Sequence, residues 1–115
     1  MNIAVSECKR NPSLQVVDLS GRLDTESAEK VTPELLRTIE QSTAGIIVNL
    51  QAVDYISSSG LRTLLIAYQD AQAVGKKIAL IHTQPQVHKI FKVAGFDTIF
   101  NISADQSEAL KTLWE

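Results

Sequence analysis

The run Ile46-Ile47-Val48-Asn49-Leu50 constrains this chain more than any other stretch. It is short, largely β-branched and apolar at successive positions, the pattern of a strand buried on both faces. Downstream, Leu61, Leu64, Leu65 and Tyr68 recur at helical spacing, so a buried strand gives way to an amphipathic helix. Between them lies Asp54-Tyr55-Ile56-Ser57-Ser58-Ser59-Gly60-Leu61, which puts three consecutive serines at a strand-to-helix corner. The first turn of a helix carries unpaired N–H groups and the positive end of the macrodipole. A phosphoserine is tolerated there.

Composition narrows the class. At 115 residues the chain is expected to form one domain over 1–115, long enough for a real core. An apolar share of 44% and a charged share of 21% are ordinary for a soluble globular protein, and a net charge of -2 offers no field for nucleic acid. Aromatic residues are 5% of the chain and scattered, so there is no stacking platform for single strands, and the core must be aliphatic. The single Cys8 excludes an internal disulfide, and with His82 and His88 it makes no metal-ligand set. Cys8 reads as a small filler near a strand end. No apolar stretch approaches the ~18 residues that cross a bilayer, and the N-terminus lacks a basic segment followed by an apolar one. A cytoplasmic protein without membrane insertion is expected.

The order of elements reads β-β-α-β-α-β-α-(β)-α. Met1 to Val5 and Leu14 to Leu19 form an antiparallel edge hairpin across the turn residues Asn11-Pro12-Ser13. Ser20 to Asp24 is expected as a loop, with Asp24 or Thr25 capping a helix that shows Ala28, Val31, Leu35 and Ile39 on one face. Pro33 inside that helix predicts a kink and a restart, with Thr32 as the new cap. The helix after the serines ends near Gly75, where Lys76 and Lys77 suit a C-terminus. Ile78 to Ile81 is the next strand, Pro85 opens a third helix closed by Gly95, and a short apolar segment runs from Phe96 to Ile102. Ser103 with Gln106 matches a capping box for a last helix bearing Ala109, Leu110 and Leu113. Strand-helix alternation after a hairpin implies a mixed sheet with parallel central strands and right-handed crossovers. Function then gathers at the carboxyl ends of the strands, which brings Asp24 towards Ser59.

Catalytic readings of the serines fail on pattern. A nucleophile elbow reads G-x-S-x-G, and no glycine stands two positions before any of these serines. His82 ends a strand and His88 lies beside Lys89, so neither is placed as a base. Gly75-Lys76-Lys77 fails as a phosphate loop, because Asp70 stands where the first glycine is needed and Lys77 stands where Ser or Thr must follow the lysine. No other stretch suggests a cofactor. Two readings of the corner stay open on spacing alone: a helix cap, which needs only one hydroxyl, and a modification site. Gly60 has a steric reading of its own, relief of crowding where the corner packs on a strand. Arg62, Thr63 and, if it is not core, Ile66 would flank a partner bound at the corner.

Asp54 to Leu61 resembles the signature of the STAS domain, most closely that of the bacterial anti-sigma factor antagonists, which runs roughly D-x-[hydrophobic]-D-[ST]-S-G-L. Leu19-Ser20-Gly21-Arg22-Leu23-Asp24 is similar to that family's second landmark. The resemblance covers essentially the whole chain and implies an α/β STAS fold: a mixed sheet with an N-terminal antiparallel hairpin and parallel central strands, packed against about four helices. It also implies a non-enzymatic partner-switching role. An anti-sigma factor with serine-kinase activity would bind the protein and phosphorylate the serine before the signature glycine, here Ser59, with Ser58 the lesser candidate. A PP2C-type phosphatase would reverse the step. Asp24, Ser57, Ser58, Ser59, Gly60, Arg62 and Thr63 would form the kinase-binding surface, with Asp24 positioning the hydroxyl. Ser57 stands where the family's pattern is usually acidic. The alternative within the family is a constitutive interaction subunit of a transporter or scaffold complex, in which the serines only cap the helix.

Overall fold

The computed structural model describes all residues, Met1–Glu115. Five strands, β1 (Asn2–Glu7), β2 (Leu14–Leu23), β3 (Gly45–Ile56), β4 (Lys77–Ile81) and β5 (Asn101–Ser103), form one sheet in the order β1-β2-β3-β4-β5. β1 pairs antiparallel with β2 and every other pair is parallel, the arrangement expected from the alternation of elements. Four helices, α1 (Thr25–Gln41), α2 (Ser58–Ala73), α3 (Pro85–Val93) and α4 (Gln106–Leu113), connect or follow the strands, with a 3-10 turn at Phe96–Thr98.

Side chains that alternate along the strands divide the core into two layers. Ile46, Val48 and Leu50 of β3 join Leu35 of α1, Leu64 and Ala67 of α2 and Phe91 of α3 in the larger cluster. Ile47 joins Ala79, Ile81, Cys8 and α4's Ala109 and Leu110 in the smaller one. The β3 run is therefore covered on both faces, and Cys8 is the buried filler its position suggested, 1% exposed just past β1.

Several local expectations need correction. Ser20 to Leu23 is not a loop: β2 continues to Leu23, with register shifts between Asp18 and Ser20 and between Gly21 and Arg22. Gly21 adopts φ +109°, which an L side chain rarely tolerates, and so lets the strand pass the irregularity. β3 likewise runs on to Ile56, paired Leu23 to Ile56, because its polar second half gains a ladder from the extended β2. Pro33 does not break α1, which is one helix with Val31, Leu35 and Ile39 fully buried. The carbonyl at exposed Glu29 loses its usual donor and can turn to water, so burial of the apolar face prevails over the proline. Ser103 lies in β5, and the cap of α4 is Asp105, whose carboxylate accepts from Glu108 N–H at 2.9 Å. Lys76 does not serve its own helix. Its ammonium donates to the carbonyls of Ile39 (2.8 Å), Glu40 (3.2 Å) and Ser42 (2.6 Å) at the end of α1, while Lys77 donates to Leu113 at the end of α4 (2.9 Å).

Candidate functional site

Because β2 and β3 are parallel and end side by side at Leu23 and Ile56, the helices that follow them start side by side. α1 and α2 thus present adjacent N-termini at the carboxyl edge of the sheet, where each orphan N–H and each helix dipole favours negative charge.

The three serines differ at this corner. Ser57 is the N-cap of α2: its backbone is extended (φ −93°, ψ 175°), its Oγ accepts from Gly60 N–H at 3.2 Å, and its own N–H donates to Leu23 O at 2.9 Å. Ser58 is exposed. Ser59 is half-buried and shares a hydrogen bond with Thr25 Oγ1 of α1 at 3.1 Å. Gly60 is buried, and a Cβ there would lie 2.6 Å from Leu23 O and 2.8 Å from both Ile56 Cγ1 and Leu23 Cγ. It brings no side chain to a partner; it lets the helix start against the strand.

Asp24 caps α1. One carboxylate oxygen accepts from Ser27 N–H at 3.1 Å, and Ser27 Oγ in turn accepts from Asp24 N–H at 2.9 Å, a reciprocal capping box. The Ser27 N–H, helped by the Ser27 hydroxyl and the Arg22 guanidinium 3.8 Å away, holds the carboxyl below its ordinary value. The hydroxyl of Ser59 is reached by Thr25, the residue after Asp24.

Arg62 is exposed on α2 as expected. Thr63 is not: it is 2% exposed and turned to α1, where it meets Thr32 Oγ1 at 2.8 Å. Thr32 Oγ1 also donates to Ala28 O at 2.8 Å, and a hydroxyl has one proton, so Thr63 is the donor between the two. Helical phase alone did not separate Thr63 from its exposed neighbour. Thr25, weighed in the sequence only as an alternative helix cap, reaches Ser59 instead, and two residues near the corner had no role assigned there: Arg22 and Tyr55, register partners with the guanidinium 4.0 Å above the ring. The β-pairing that joins Arg22 to Tyr55 has no local signal.

No histidine bonds to the serines. His82 sits at φ +56° just past β4, and His88 Nδ1 has Thr83 Oγ1 at 3.4 Å.

The chain belongs to the STAS domain family, whose sequence profile matches residues 6–109. It is 29% identical over 91 residues to BtrV of Bordetella bronchiseptica, provisionally named an anti-sigma factor antagonist, covering 79% of this chain and 78% of that protein. It is 26% identical over 114 residues to the anti-sigma F factor antagonist of Paenibacillus polymyxa, covering 98% and 97% of the two. Among solved structures it resembles SpoIIAA in its unphosphorylated form, with a TM-score of 0.77 at 22% identity over 96% of this chain and 95% of that one. The Bacillus cell fate determinant SpoIIAA in the phosphorylated form gives a TM-score of 0.70 at 22% identity, covering 96% and 97%. At that identity these structures speak to the fold.

Proposed function

We propose that this protein is an anti-sigma factor antagonist, a non-enzymatic cytoplasmic regulator switched by phosphorylation of Ser59. Unmodified, it binds an anti-sigma factor that is also a serine kinase and so frees a sigma factor or comparable target. Phosphorylated, it is released, and a PP2C-type phosphatase restores it. The observation that carries this reading is the Ser59 hydroxyl itself, half-buried between the N-termini of α1 and α2. The names of its relatives and the existence of SpoIIAA in both phosphorylation states support it.

The chemistry is one phosphoryl transfer carried out by the partner. Ser59 Oγ bonds to the γ-phosphorus of ATP, the bond to the β-phosphate oxygen breaks, ADP leaves, and the hydroxyl proton passes to a base of the kinase. The product carries about -1.5 to -2 charge and three acceptor oxygens. Two helix N-termini can hold that charge within the folded protein, whereas an interface packed on a neutral hydroxyl must desolvate or repel it. Like charges at an interface cost several kcal/mol and each ~1.4 kcal/mol is tenfold in affinity, so one phosphate moves binding by about two or three decades. No rearrangement of the fold is needed. Ser57 in place of an acid keeps the corner intact, since serine and aspartate cap helices about equally well.

The test is intact mass and partner affinity for the wild type, Ser59→Ala and Ser59→Asp, with ATP and the candidate anti-sigma kinase. Ser59→Ala should stay folded, bind and take no phosphate, and Ser59→Asp should bind weakly. Phosphate uptake by Ser59→Ala overturns the assignment. Full binding by Ser59→Asp points instead to the constitutive subunit.

A further inference from the structure

The structure assigns to Thr25 a role that goes beyond the capping sequence around it. We propose that Thr25 is a positioning residue for the Ser59 hydroxyl and selects Ser59 over Ser58 as the phosphoryl acceptor; this rests on the phosphorylation reading above. Ser57 Oγ is engaged by the Gly60 N–H, and Ser58 is exposed, with its side chain unheld. Ser59 is the serine whose side chain is tied to a second element, through the 3.1 Å contact with Thr25 Oγ1 across a sequence separation of 34. Asp24, the neighbouring acid, is committed to Ser27 N–H and Ser27 Oγ (3.1 and 3.2 Å), with Arg22 beside it.

A second contact makes the first one more than a chance approach of two hydroxyls. Thr63 donates to Thr32 at 2.8 Å further along the same pair of helices, and Thr32 is itself anchored to Ala28 O. The part-buried Thr32–Thr63 pair is one polar tie between α1 and α2, and the Thr25–Ser59 pair is a second one nearer their N-termini. In-line phosphoryl transfer needs an acceptor oxygen held in one direction, because orientation supplies much of the rate. A Ser59 hydroxyl held by Thr25 samples one rotamer, while Ser58 samples its rotamers freely. The bond yields to the incoming phosphoryl group, since either oxygen can serve as donor and Thr25 can turn its proton to the new phosphate.

The test compares wild type, Thr25→Val, which keeps shape and loses the hydroxyl, and Thr25→Ser, which restores it. Three-bond Hα–Hβ couplings of Ser59 in the free protein should report one rotamer for wild type and Thr25→Ser and averaging for Thr25→Val. This arm requires no kinase. With an anti-sigma kinase that modifies the wild type, Thr25→Val should phosphorylate Ser59 about five- to tenfold more slowly, the worth of one neutral hydrogen bond, and shift phosphate towards Ser58. Thr25→Ser should recover both rate and site. Unchanged couplings, or an unchanged rate and site in Thr25→Val, overturn the role of Thr25 while leaving Ser59 as acceptor. Failure of every anti-sigma kinase tried on the wild type overturns the phosphorylation reading, and the selection role with it.

Discussion

Replacing Gly60 with alanine sets two opposing effects against each other, and the structure decides between them. Alanine at a helical position gains up to about 1 kcal/mol over glycine in propensity and chain entropy. The added Cβ would lie 2.6 Å from Leu23 O and 2.8 Å from Leu23 Cγ and Ile56 Cγ1, where carbon contacts prefer roughly 3.5–4.0 Å. None of these neighbours can yield cheaply. Leu23 is 0% and Ile56 3% exposed, and Leu23 O already accepts the Ser57 N–H at 2.9 Å. Overpacking costs typically 1–3 kcal/mol, and contacts this short against backbone and buried side chains belong to the upper part of that range, about 2–3 kcal/mol, so Gly60→Ala should destabilise by about 1–2 kcal/mol net of the propensity gain. For a chain of this size that is a fall in Tm of roughly 3–10 °C. Urea titration by circular dichroism should show a lower midpoint at unchanged slope, with amide shift changes centred on Leu23, Ile56 and Ser57 to Ser59. A midpoint equal to or above wild type would show that the corner has room for a methyl group and would refute the steric account of the signature glycine.

Two other substitutions test the frame that holds the site. Lys76→Met removes the ammonium that serves three carbonyls at the end of α1 while keeping its aliphatic stem, and should cost about 2–3 kcal/mol in chemical denaturation, the range of charged hydrogen bonds plus a favourable helix-end charge. A change under about 0.5 kcal/mol would mean that water replaces the lysine fully. Asp24→Asn keeps a good cap but removes a carboxylate whose native pKa lies below 3.8. A lowered native pKa favours the carboxylate in the folded state, so its stabilisation is present above 3.8 and lost as pH falls through the lower native value. The Tm of Asp24→Asn should therefore fall less steeply than wild type in that acid window; equal slopes would show that the cap carries no linkage.

What was legible in the sequence and what was not separate along the range of the interactions involved. The buried β3 run, the capping of α1 at Asp24 or Thr25 and of α2 by one of the serines, and the apolar stripe of α1 are each encoded within a few residues, and each is in place, with Asp24 and Ser57 as the caps. The polar halves of β2 and β3, from Ser20 to Leu23 and Gln51 to Tyr55, carry no strand pattern of their own, because each is extended by pairing with the other. Thr63 has a polar side chain that signals solvent, yet Thr32, 31 residues away, makes its burial affordable by hydrogen bonding. Lys76 follows the general preference of cations for helix C-termini but serves α1, 34 to 37 residues away. The same division runs through the site. The sequence motif marks a serine before a glycine, which is local, while the contact that distinguishes Ser59 from Ser58 joins two helices through Thr25. The residue after the α1 cap therefore matters in such a corner, because its hydroxyl can reach across to the serine before the glycine.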